Sequence, residues 1–361
     1  MTRPTIQIVM HGVKHCSGTC PFCSEAANTA MLRGKKDIDT INNIIYNDIK
    51  FDFDALEKAI KSHPNWKDNT RISIWGGDPL TSFYGFQDIV EFINYIKGDK
   101  KNIQFSCSTN GLALEKDEIA QWVYDNHILF QLSHDGLGQK YRTGNKDPLK
   151  FDNIKELIKT GNCHSIYTIL YSLNYKPLDN IKYLKESYDI LPPYRRINVV
   201  RESTSQWNIR GDKADEYINQ LRQIYDDIDN PLFDGWRYSL LREIKMQYRH
   251  VATPCSEFAK GKTEYSGIVD TLGKQTQCHL LDSTQTVSNP MMIKPNCCSN
   301  CKYKTTWRCD MCGIDTLPDV CDFNFKYNSF LDELSQRPDM QERIKNIRGY
   351  LKTNNIEKRK Q

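Results

Sequence analysis

The sequence predicts an α/β fold with six parallel strands, followed by a small cysteine-rich C-terminal domain. Between residues 5 and 200, short β-branched or aromatic runs alternate with segments of helical period, and from Cys255 onward cysteine spacing replaces that alternation. Strands that alternate with helices pair in parallel through right-handed crossovers. We therefore expect a parallel sheet or a partial (β/α)6 barrel that binds its ligands at the carboxyl ends of the strands.

The predicted elements follow in order along the chain. Strands are predicted over residues 5–11, 71–75, 103–107, 128–132, 165–171 and 196–200. Helices are predicted over residues 54–60, 86–97, 115–124, 150–159, 178–187 and 213–249. Residues 268–278 are predicted to form a hairpin that turns at Gly273. The expected domains are a barrel over residues 1–210, a helical bridge over 211–250, a cysteine-rich auxiliary domain over 251–330, and a C-terminal helix with a basic tail over 331–361.

The charge balance of the chain does not indicate a strongly anionic partner. The 361 residues include 49 basic and 45 acidic side chains, a formal net charge of +4. This near balance gives no reason to expect nucleic acid or an anionic membrane as a partner. No apolar run approaches the ~20 residues of a membrane helix, and no signal-peptide core follows the N-terminus. We therefore expect a cytoplasmic protein with no membrane partner.

The 13 cysteines are unevenly distributed. In a reducing compartment they indicate metal ligands before disulfides. Cys107 and Cys163 stand alone in strand-like segments, and we expect them to be buried apolar side chains. The triplet Cys16, Cys20 and Cys23 suits a soft metal: either zinc with a nearby histidine as fourth ligand, or a cubane iron–sulfur cluster with one open coordination position. The nearest candidates for the fourth zinc ligand are His11 and His15.

Polar turns follow the first four predicted strands. The cysteine loop follows strand one, and the other three turns are Gly76-Gly77-Asp78-Pro79, Ser108-Thr109-Asn110-Gly111 and Ser133-His134-Asp135-Gly136. Because the carboxyl ends of parallel strands meet at one edge of a sheet, these turns are predicted to share a ligand site.

The motif Cys16-x3-Cys20-x2-Cys23, with the aromatic Phe22 before its third cysteine, resembles the signature of the radical S-adenosylmethionine (radical SAM) enzymes. The resemblance implies that the three thiolates hold a [4Fe–4S] cluster whose open iron binds SAM. It implies one-electron cleavage of SAM to a 5′-deoxyadenosyl radical, which abstracts a hydrogen atom from the substrate. It also implies an external electron donor such as flavodoxin or ferredoxin.

The same resemblance implies a set of SAM contacts. Gly76-Gly77-Asp78-Pro79 is similar to the family's Gly-Gly-Glu-Pro motif, which holds the amino group of SAM, although Asp78 has a shorter reach than glutamate. Phe22 would lie beside the adenine. Ser133 and Arg142 resemble a serine and an arginine that meet the ribose and the carboxylate of SAM in related enzymes. Ser108 and Asn110 are further candidates. Ordinary turn polarity is the alternative explanation for each of the four.

The C-terminal cysteines resemble a SPASM domain, the extension that carries two auxiliary [4Fe–4S] clusters in many peptide-modifying family members. Carried over by position, the ligands of an outer cluster would be Cys298, Cys301, Cys309 and Cys321. Those of an inner cluster would be Cys255, Cys278 and Cys312. The interval from Cys301 to Cys309 is longer than in the family, and that from Cys309 to Cys312 is shorter.

The inner set lacks a fourth thiolate. Either Cys297 completes it, or one iron is open for a substrate group; we favour the open iron, since the adjacent Cys297 and Cys298 cannot easily point to different clusters. A four-thiolate zinc knuckle built from Cys298-x2-Cys301 and Cys309-x2-Cys312 is the alternative, and it would make the protein a zinc-binding interaction protein.

The substrate class stays open between two alternatives. The resemblance favours cross-linking, epimerisation or oxidation of a ribosomally synthesised peptide by a radical SAM oxidoreductase, and a sugar or aminoglycoside is the small-molecule alternative. Sulfatase-maturing relatives place an aspartate after the second SPASM cysteine, whereas this chain has His279, a candidate base. The chain begins at the first predicted strand, so we expect a peptide to be recruited by a separate recognition protein, the barrel mouth or the auxiliary domain.

Overall fold

The structure is a computed structural model that describes residues 3–10, 16–20, 49–200, 207–246, 268–274 and 318–347. The chain divides into two compact units. The first unit comprises Met1–Ser133, Lys140–His164 and Lys260–Ser288. The second unit comprises His134–Gln139, Ser165–Ala259 and Asn289–Gln361.

A seven-stranded parallel sheet organises the fold, with the strand order β6-β5-β4-β3-β2-β1-β7. The strands are β1 Thr5–Val9, β2 Arg71–Trp75, β3 Gln104–Thr109, β4 Leu129–Ser133, β5 Cys163–Leu170, β6 Tyr194–Val199 and β7 Ile268–Asp270. The six predicted strands are confirmed with bounds shifted by a few residues, and β1, β2 and β3 pair in chain order. The predicted α/β fold class is confirmed.

Helices alternate with the strands as predicted. They are α1 Phe53–Ser62, α2 Phe83–Ile96, α3 Asp117–Asp125, α4 Gln139–Thr143, α5 Asp152–Thr160, α6 Pro177–Ser187, α7 Asp212–Asp226, α8 Arg237–Met246, α9 Pro318–Gln336 and α10 Pro338–Lys345. Their ends follow local chemistry. The Asp52 side chain caps α1 by accepting a hydrogen bond from the Ala55 N–H at 3.0 Å, and Gly161 ends α5 at φ 91°. The segment predicted to be helical over residues 213–249 contains two helices, α7 and α8, separated by a 3-10 turn at Pro231–Phe233; residues 247–249 lie outside the described residues.

The core of the first unit lies between one face of the sheet and the helices. Alternate strand residues such as Ile6, Ile72 and Phe130 are fully buried, and so are Phe86 and Ile89 of α2. On the strands every second residue is buried, and on α2 the buried residues recur at helical intervals. The sequence predicts these elements from the same two periods. Burying such side chains is the main driving force for folding this unit.

The strand β7 was predicted only as one arm of a hairpin. In the structure it pairs in parallel with β1, with Gln7 opposite Ile268. The predicted turn at Gly273 is confirmed: Gly273 adopts φ 73°, and its N–H donates to the Asp270 carbonyl at 2.9 Å. A Cβ at this glycine would lie 2.4 Å from the Ala55 carbonyl oxygen, so the site requires glycine. The predicted return arm, from residue 275 onward, lies outside the described residues.

The second unit contains a helical layer with its own apolar core. Phe330, Leu331 and Leu334 of α9 are buried, and Tyr225 of α7 packs on Phe330 with ring centroids 5.7 Å apart. The apolar face predicted for α7 is confirmed by the burial of Tyr217, Ile218, Leu221, Ile224 and Tyr225. Helix α9 crosses residue 330, a predicted domain boundary; the domain boundaries stay predictions.

Candidate active site

The cysteine loop follows β1 and is described over residues 16–20. Cys16 is half-buried and Cys20 is buried. The Cys16 Sγ accepts two N–H donors, the Gly18 backbone at 3.3 Å and the Asn110 side-chain Nδ2 at 3.2 Å. Two N–H donors from different segments of the chain therefore point at one sulfur atom.

Two contacts anchor this loop to the rest of the first unit. The Thr19 N–H donates to the Arg142 carbonyl at 2.7 Å, and the Ser17 hydroxyl shares a 3.1 Å hydrogen bond with the Thr81 hydroxyl. The segment after β4 and the segment after β2 therefore both hold the cysteine loop. The ligand site that the strand-end turns are predicted to share stays a prediction.

The Gly-Gly-Asp-Pro turn needs its two glycines. Gly76 adopts φ 132° and Gly77 adopts φ 53°, both in the region that disfavours side chains. This path leaves Gly77 exposed and turns Asp78 inward, where it is only 2% exposed. The turn therefore presents glycine backbone at the surface and buries its acidic side chain.

The Asp78 carboxylate is the centre of a buried hydrogen-bond network. It accepts from the backbone N–H groups of Leu80 at 3.1 Å and Thr81 at 3.3 Å, which follow it in the chain. It also accepts from the Thr109 hydroxyl at 2.8 Å and from the Asn110 backbone N–H at 2.7 Å. One carboxylate thus joins the turn after β2 to the turn after β3.

Burial raises the pKa of the Asp78 carboxyl above its ordinary value, although the hydrogen bonds from Asn110, Thr109, Thr81 and Leu80 oppose that shift. Burial also raises the pKa of the neighbouring Cys107 thiol well above its usual range, with the Asp78 charge as a smaller cause. Cys107 is 4% exposed and Cys163 is fully buried, which confirms that both are buried core side chains.

The other predicted SAM contacts occupy the same edge of the first unit. Ser108 is half-buried on β3 and accepts a hydrogen bond from the Gln131 amide at 3.4 Å, and Ser133 is the half-buried last residue of β4. Arg142 is 8% exposed, and its backbone carbonyl binds Thr19. Asn110 is 4% exposed, and its side chain contacts the cysteine loop. Their contact with SAM stays a prediction.

Several predicted site residues lie outside the described residues, and the side chain of Cys321 does so as well. The others are Phe22, Cys23, Cys255, Cys278, His279, Cys297, Cys298, Cys301, Cys309 and Cys312. Their assignments stay predictions.

Sequence reasoning missed three hydroxyl residues of the site. Thr109 binds Asp78, Thr81 binds Ser17, and Ser17 also accepts from the Asn110 amide at 3.3 Å. Each lies within or directly beside a predicted turn, so adjacency to those turns was the available signal.

One face of the strands in the first unit is polar. Gln7, Ser73 and Ser106 lie side by side in register across β1, β2 and β3, and Ser108 is opposite Gln131 on β3 and β4. Parallel strands that are covered by apolar side chains on both faces read as continuous hydrophobic runs. This alternation indicates that the second face meets polar groups.

The described part of the loop fits an iron–sulfur cluster. Cys16 and Cys20 would supply two of the three thiol ligands, and the two N–H donors on the Cys16 sulfur are the kind of support that cluster thiolates receive. Gly18 keeps space beside the sulfur, because a Cβ there would lie 3.2 Å from Cys16 Sγ.

Comparison with known proteins gives matches among solved structures. No protein-family model and no curated protein sequence matches the chain. Native anSMEcpe with bound AdoMet, an anaerobic sulfatase-maturating enzyme of the radical SAM SPASM type, is 16% identical with a TM-score of 0.60, over 95% of this chain and 100% of that chain. Native anSMEcpe with AdoMet and Cp18Cys peptide is 15% identical with a TM-score of 0.57, over 95% of this chain and 99% of that one.

A third match is native anSMEcpe with AdoMet and Kp18Cys peptide, 15% identical with a TM-score of 0.56 over 95% of this chain and 100% of that one. At these identities the likeness shows the fold alone: the chain shares the α/β fold of the anSMEcpe structures. Within the ranges that the structure describes, no helix is long and apolar enough to span a membrane.

Proposed function

We propose that the protein is a radical SAM enzyme that modifies a ribosomally synthesised peptide. The observation that carries the proposal is the position of the Cys16–Cys20 loop, which is bonded to the turns after β2 and β3 in a chain that shares the α/β fold of the anSMEcpe structures. The solved structures that share this fold contain AdoMet and peptides. The proposed site combines a thiolate loop, glycine backbone and a polar strand face.

The cluster would be held by Cys16, Cys20 and Cys23. When bound, a [4Fe–4S] cluster supplies the electron that splits SAM into methionine and a 5′-deoxyadenosyl radical. The chain's own part is to aim the thiolates, which the bonds from Ser17 and Thr19 to neighbouring segments do.

For SAM itself, we propose that the Gly76-Gly77 backbone meets the amino group. Gly77 is exposed, whereas the Asp78 carboxylate is buried and already accepts four different donors. Phe22 would pack on the adenine. The half-buried Ser108 and Ser133 at the ends of their strands would meet the ribose side of the ligand, and Arg142 the carboxylate.

The C-terminal cysteines would hold two auxiliary clusters in a SPASM-type domain, with His279 as a base near the substrate. An external electron donor such as flavodoxin or ferredoxin would reduce the site, and the enzyme would act in the cytoplasm as an oxidoreductase. The outcome would be a cross-link, an epimerisation or an oxidation at carbon.

A peptide is favoured over a small molecule for two reasons. The matching structures include two peptide complexes. The half-buried Gln7 and Ser73 of the polar row offer an amide and a hydroxyl group, which can pair with the repeating N–H and C=O groups of a peptide backbone.

The test of cluster chemistry is anaerobic purification with iron and sulfide counting, followed by measurement of 5′-deoxyadenosine formed from SAM. We expect a brown protein that cleaves SAM, and we expect Cys20→Ala to abolish cleavage. Cys163→Ala is the matched control, because Cys163 is a fully buried thiol at the start of β5, whereas the site lies at the ends of the strands; it should keep both iron and cleavage. Colourless protein with stoichiometric zinc would instead favour the zinc-binding interaction protein.

The substrate class has its own test. Peptides encoded by short reading frames beside this gene, synthesised with deuterated side chains, should transfer deuterium into 5′-deoxyadenosine. Deuterium transfer from a labelled sugar or aminoglycoside, with none from the peptides, would favour the small-molecule alternative.

A further inference from the structure

The Asn110 side chain lies against the cysteine loop instead of facing open space. It is 4% exposed, and its Nδ2 donates to Cys16 Sγ at 3.2 Å and to Ser17 Oγ at 3.3 Å. This places the amide beside the sulfur of a proposed cluster ligand.

The orientation of the amide follows from its other contact. The Asn110 Oδ1 accepts from the Leu112 backbone N–H at 2.9 Å. A flipped amide would set its NH₂ group against that N–H and its oxygen against the sulfur, and both contacts would lose their hydrogen bonds. The local geometry therefore fixes the NH₂ group toward Cys16.

The backbone of Asn110 is fixed as well. Its N–H donates to Asp78 at 2.7 Å, and the preceding Thr109 hydroxyl donates to the same carboxylate. The Thr109 hydroxyl also accepts from the Gly111 N–H at 3.0 Å. Asp78 thus holds the turn that carries the amide.

We propose that Asn110 is a positioning residue whose N–H···S hydrogen bond to Cys16 raises the reduction potential of the cluster, with Asp78 as the brace that keeps Asn110 in place. The inference rests on the proposed function, since it needs a cluster on Cys16. Reduction adds negative charge to a cluster and its sulfur ligands, and an N–H donor stabilises that added charge. The Gly18 N–H acts on the same sulfur, and Asn110 supplies the part that depends on a side chain.

The experiment is a redox titration followed by EPR, on the full chain with its iron reconstituted. The relevant signal is the one that changes when SAM is added, which separates this cluster from auxiliary ones. Asn110→Ala removes the donor without adding charge, and Asn110→Asp removes it while keeping an acceptor for Leu112. We expect both variants to shift the midpoint potential to lower values, with the larger shift in Asn110→Asp because of its added negative charge.

Two controls separate this effect from a loosened loop. Ser17→Ala removes the bond from the loop to Thr81 and the second acceptor of the Asn110 amide but leaves the N–H···S bond, so a shift as large as that of Asn110→Ala would assign the effect to a loosened loop and overturn the inference. Asn153→Asp removes an amide that donates to the Leu114 carbonyl in the same unit, and it too should leave the potential unchanged.

A second measurement uses the wild-type protein alone. With ¹⁵N-labelled asparagine side chains, the reduced SAM-responsive cluster should show magnetic coupling to one ¹⁵N nucleus. Absence of that coupling would overturn the inference even if both variants fail to hold iron. Unchanged potentials in both variants at wild-type iron content would overturn it and leave the proposed function standing, whereas a wild-type protein that forms no cluster would overturn both.

Discussion

The polar contacts of the two units differ in kind: the first unit has a buried hydrogen-bond network, and the second has ion pairs at its surface. In the first unit, one buried carboxylate, Asp78, joins the turns after β2 and β3 through hydrogen bonds to uncharged donors. In the second unit, partly exposed ion pairs connect α7 and the turn that follows it to α9, to α10 and to the residue between those two helices. These pairs are Asp215–Lys326, Arg222–Glu333, Asp226–Arg337 and Asp229–Arg343.

The two regions differ in what their polar contacts contribute: the buried network fixes the positions of atoms, whereas the surface ion pairs add little to helices that are held by apolar packing. In the helical layer, apolar contacts such as Tyr217 on Phe323, with ring centroids 5.5 Å apart, provide most of the stabilisation, and solvent screens the ion pairs above them. The Asp78 network has no solvent to replace a lost bond. Buried hydrogen bonds are therefore suited to fixing the atoms of a site, because each bond that is lost has a large free-energy cost.

Asp78→Ala should have the largest effect on stability. It leaves the Thr109 hydroxyl and the Asn110 N–H buried without their acceptor, a loss of about 2–4 kcal/mol after allowing for the charge that is no longer buried. Urea denaturation of the metal-free protein measures it.

Asp52→Ala is the matched control for that measurement. Asp52 also accepts a backbone N–H from a residue three positions on, but it is exposed, so its loss should cost about 1 kcal/mol. Equal losses in the two variants would contradict the distinction between buried and exposed acceptors.

Asp78→Glu should have the next largest effect, although it restores the Gly-Gly-Glu-Pro motif. The added methylene must fit a site that is 2% exposed and filled by donors from two turns, and such overpacking costs about 1–3 kcal/mol. We also expect weaker SAM binding, measured by calorimetry. A variant with wild-type stability and tighter SAM binding would show that the carboxylate reaches SAM.

How much of the site the sequence could predict follows from the range of each interaction. Strand-end turns were predictable, because local residue types at Gly76-Gly77 and Ser108-Thr109 report turns, and parallel strands bring their ends together. The bond between Asp78 and Asn110 was not, since it joins residues 32 apart in the chain through side-chain orientation. The three-residue strand β7 is too short to show a period, so its pairing with β1 could not be predicted either.

Thr109→Val tests one bond of the network at nearly constant volume. It removes the hydroxyl that donates to Asp78 at 2.8 Å and accepts from Gly111 at 3.0 Å, and we expect a loss of about 1–2 kcal/mol in urea denaturation. Thr81→Val is a useful companion, because its hydroxyl bonds Ser17 and not Asp78. Asp78→Ala and Thr109→Val together should destabilise less than the sum of the two single changes, since they share one bond.

The ion pair of Arg222 and Glu333 should give the smallest effect. The two side chains are 43% and 52% exposed, so holding them in one geometry costs rotamer entropy while water screens their attraction. A double-mutant cycle with Arg222→Ala and Glu333→Ala should give a coupling of about 0.2–1 kcal/mol. That coupling should fall as salt is added, whereas the Asp78–Thr109 coupling should not, because the buried carboxylate is shielded from ions. If the Arg222–Glu333 coupling energy exceeded that range and did not change with salt, this pair would behave like the buried network. That result would contradict the difference drawn between the two regions.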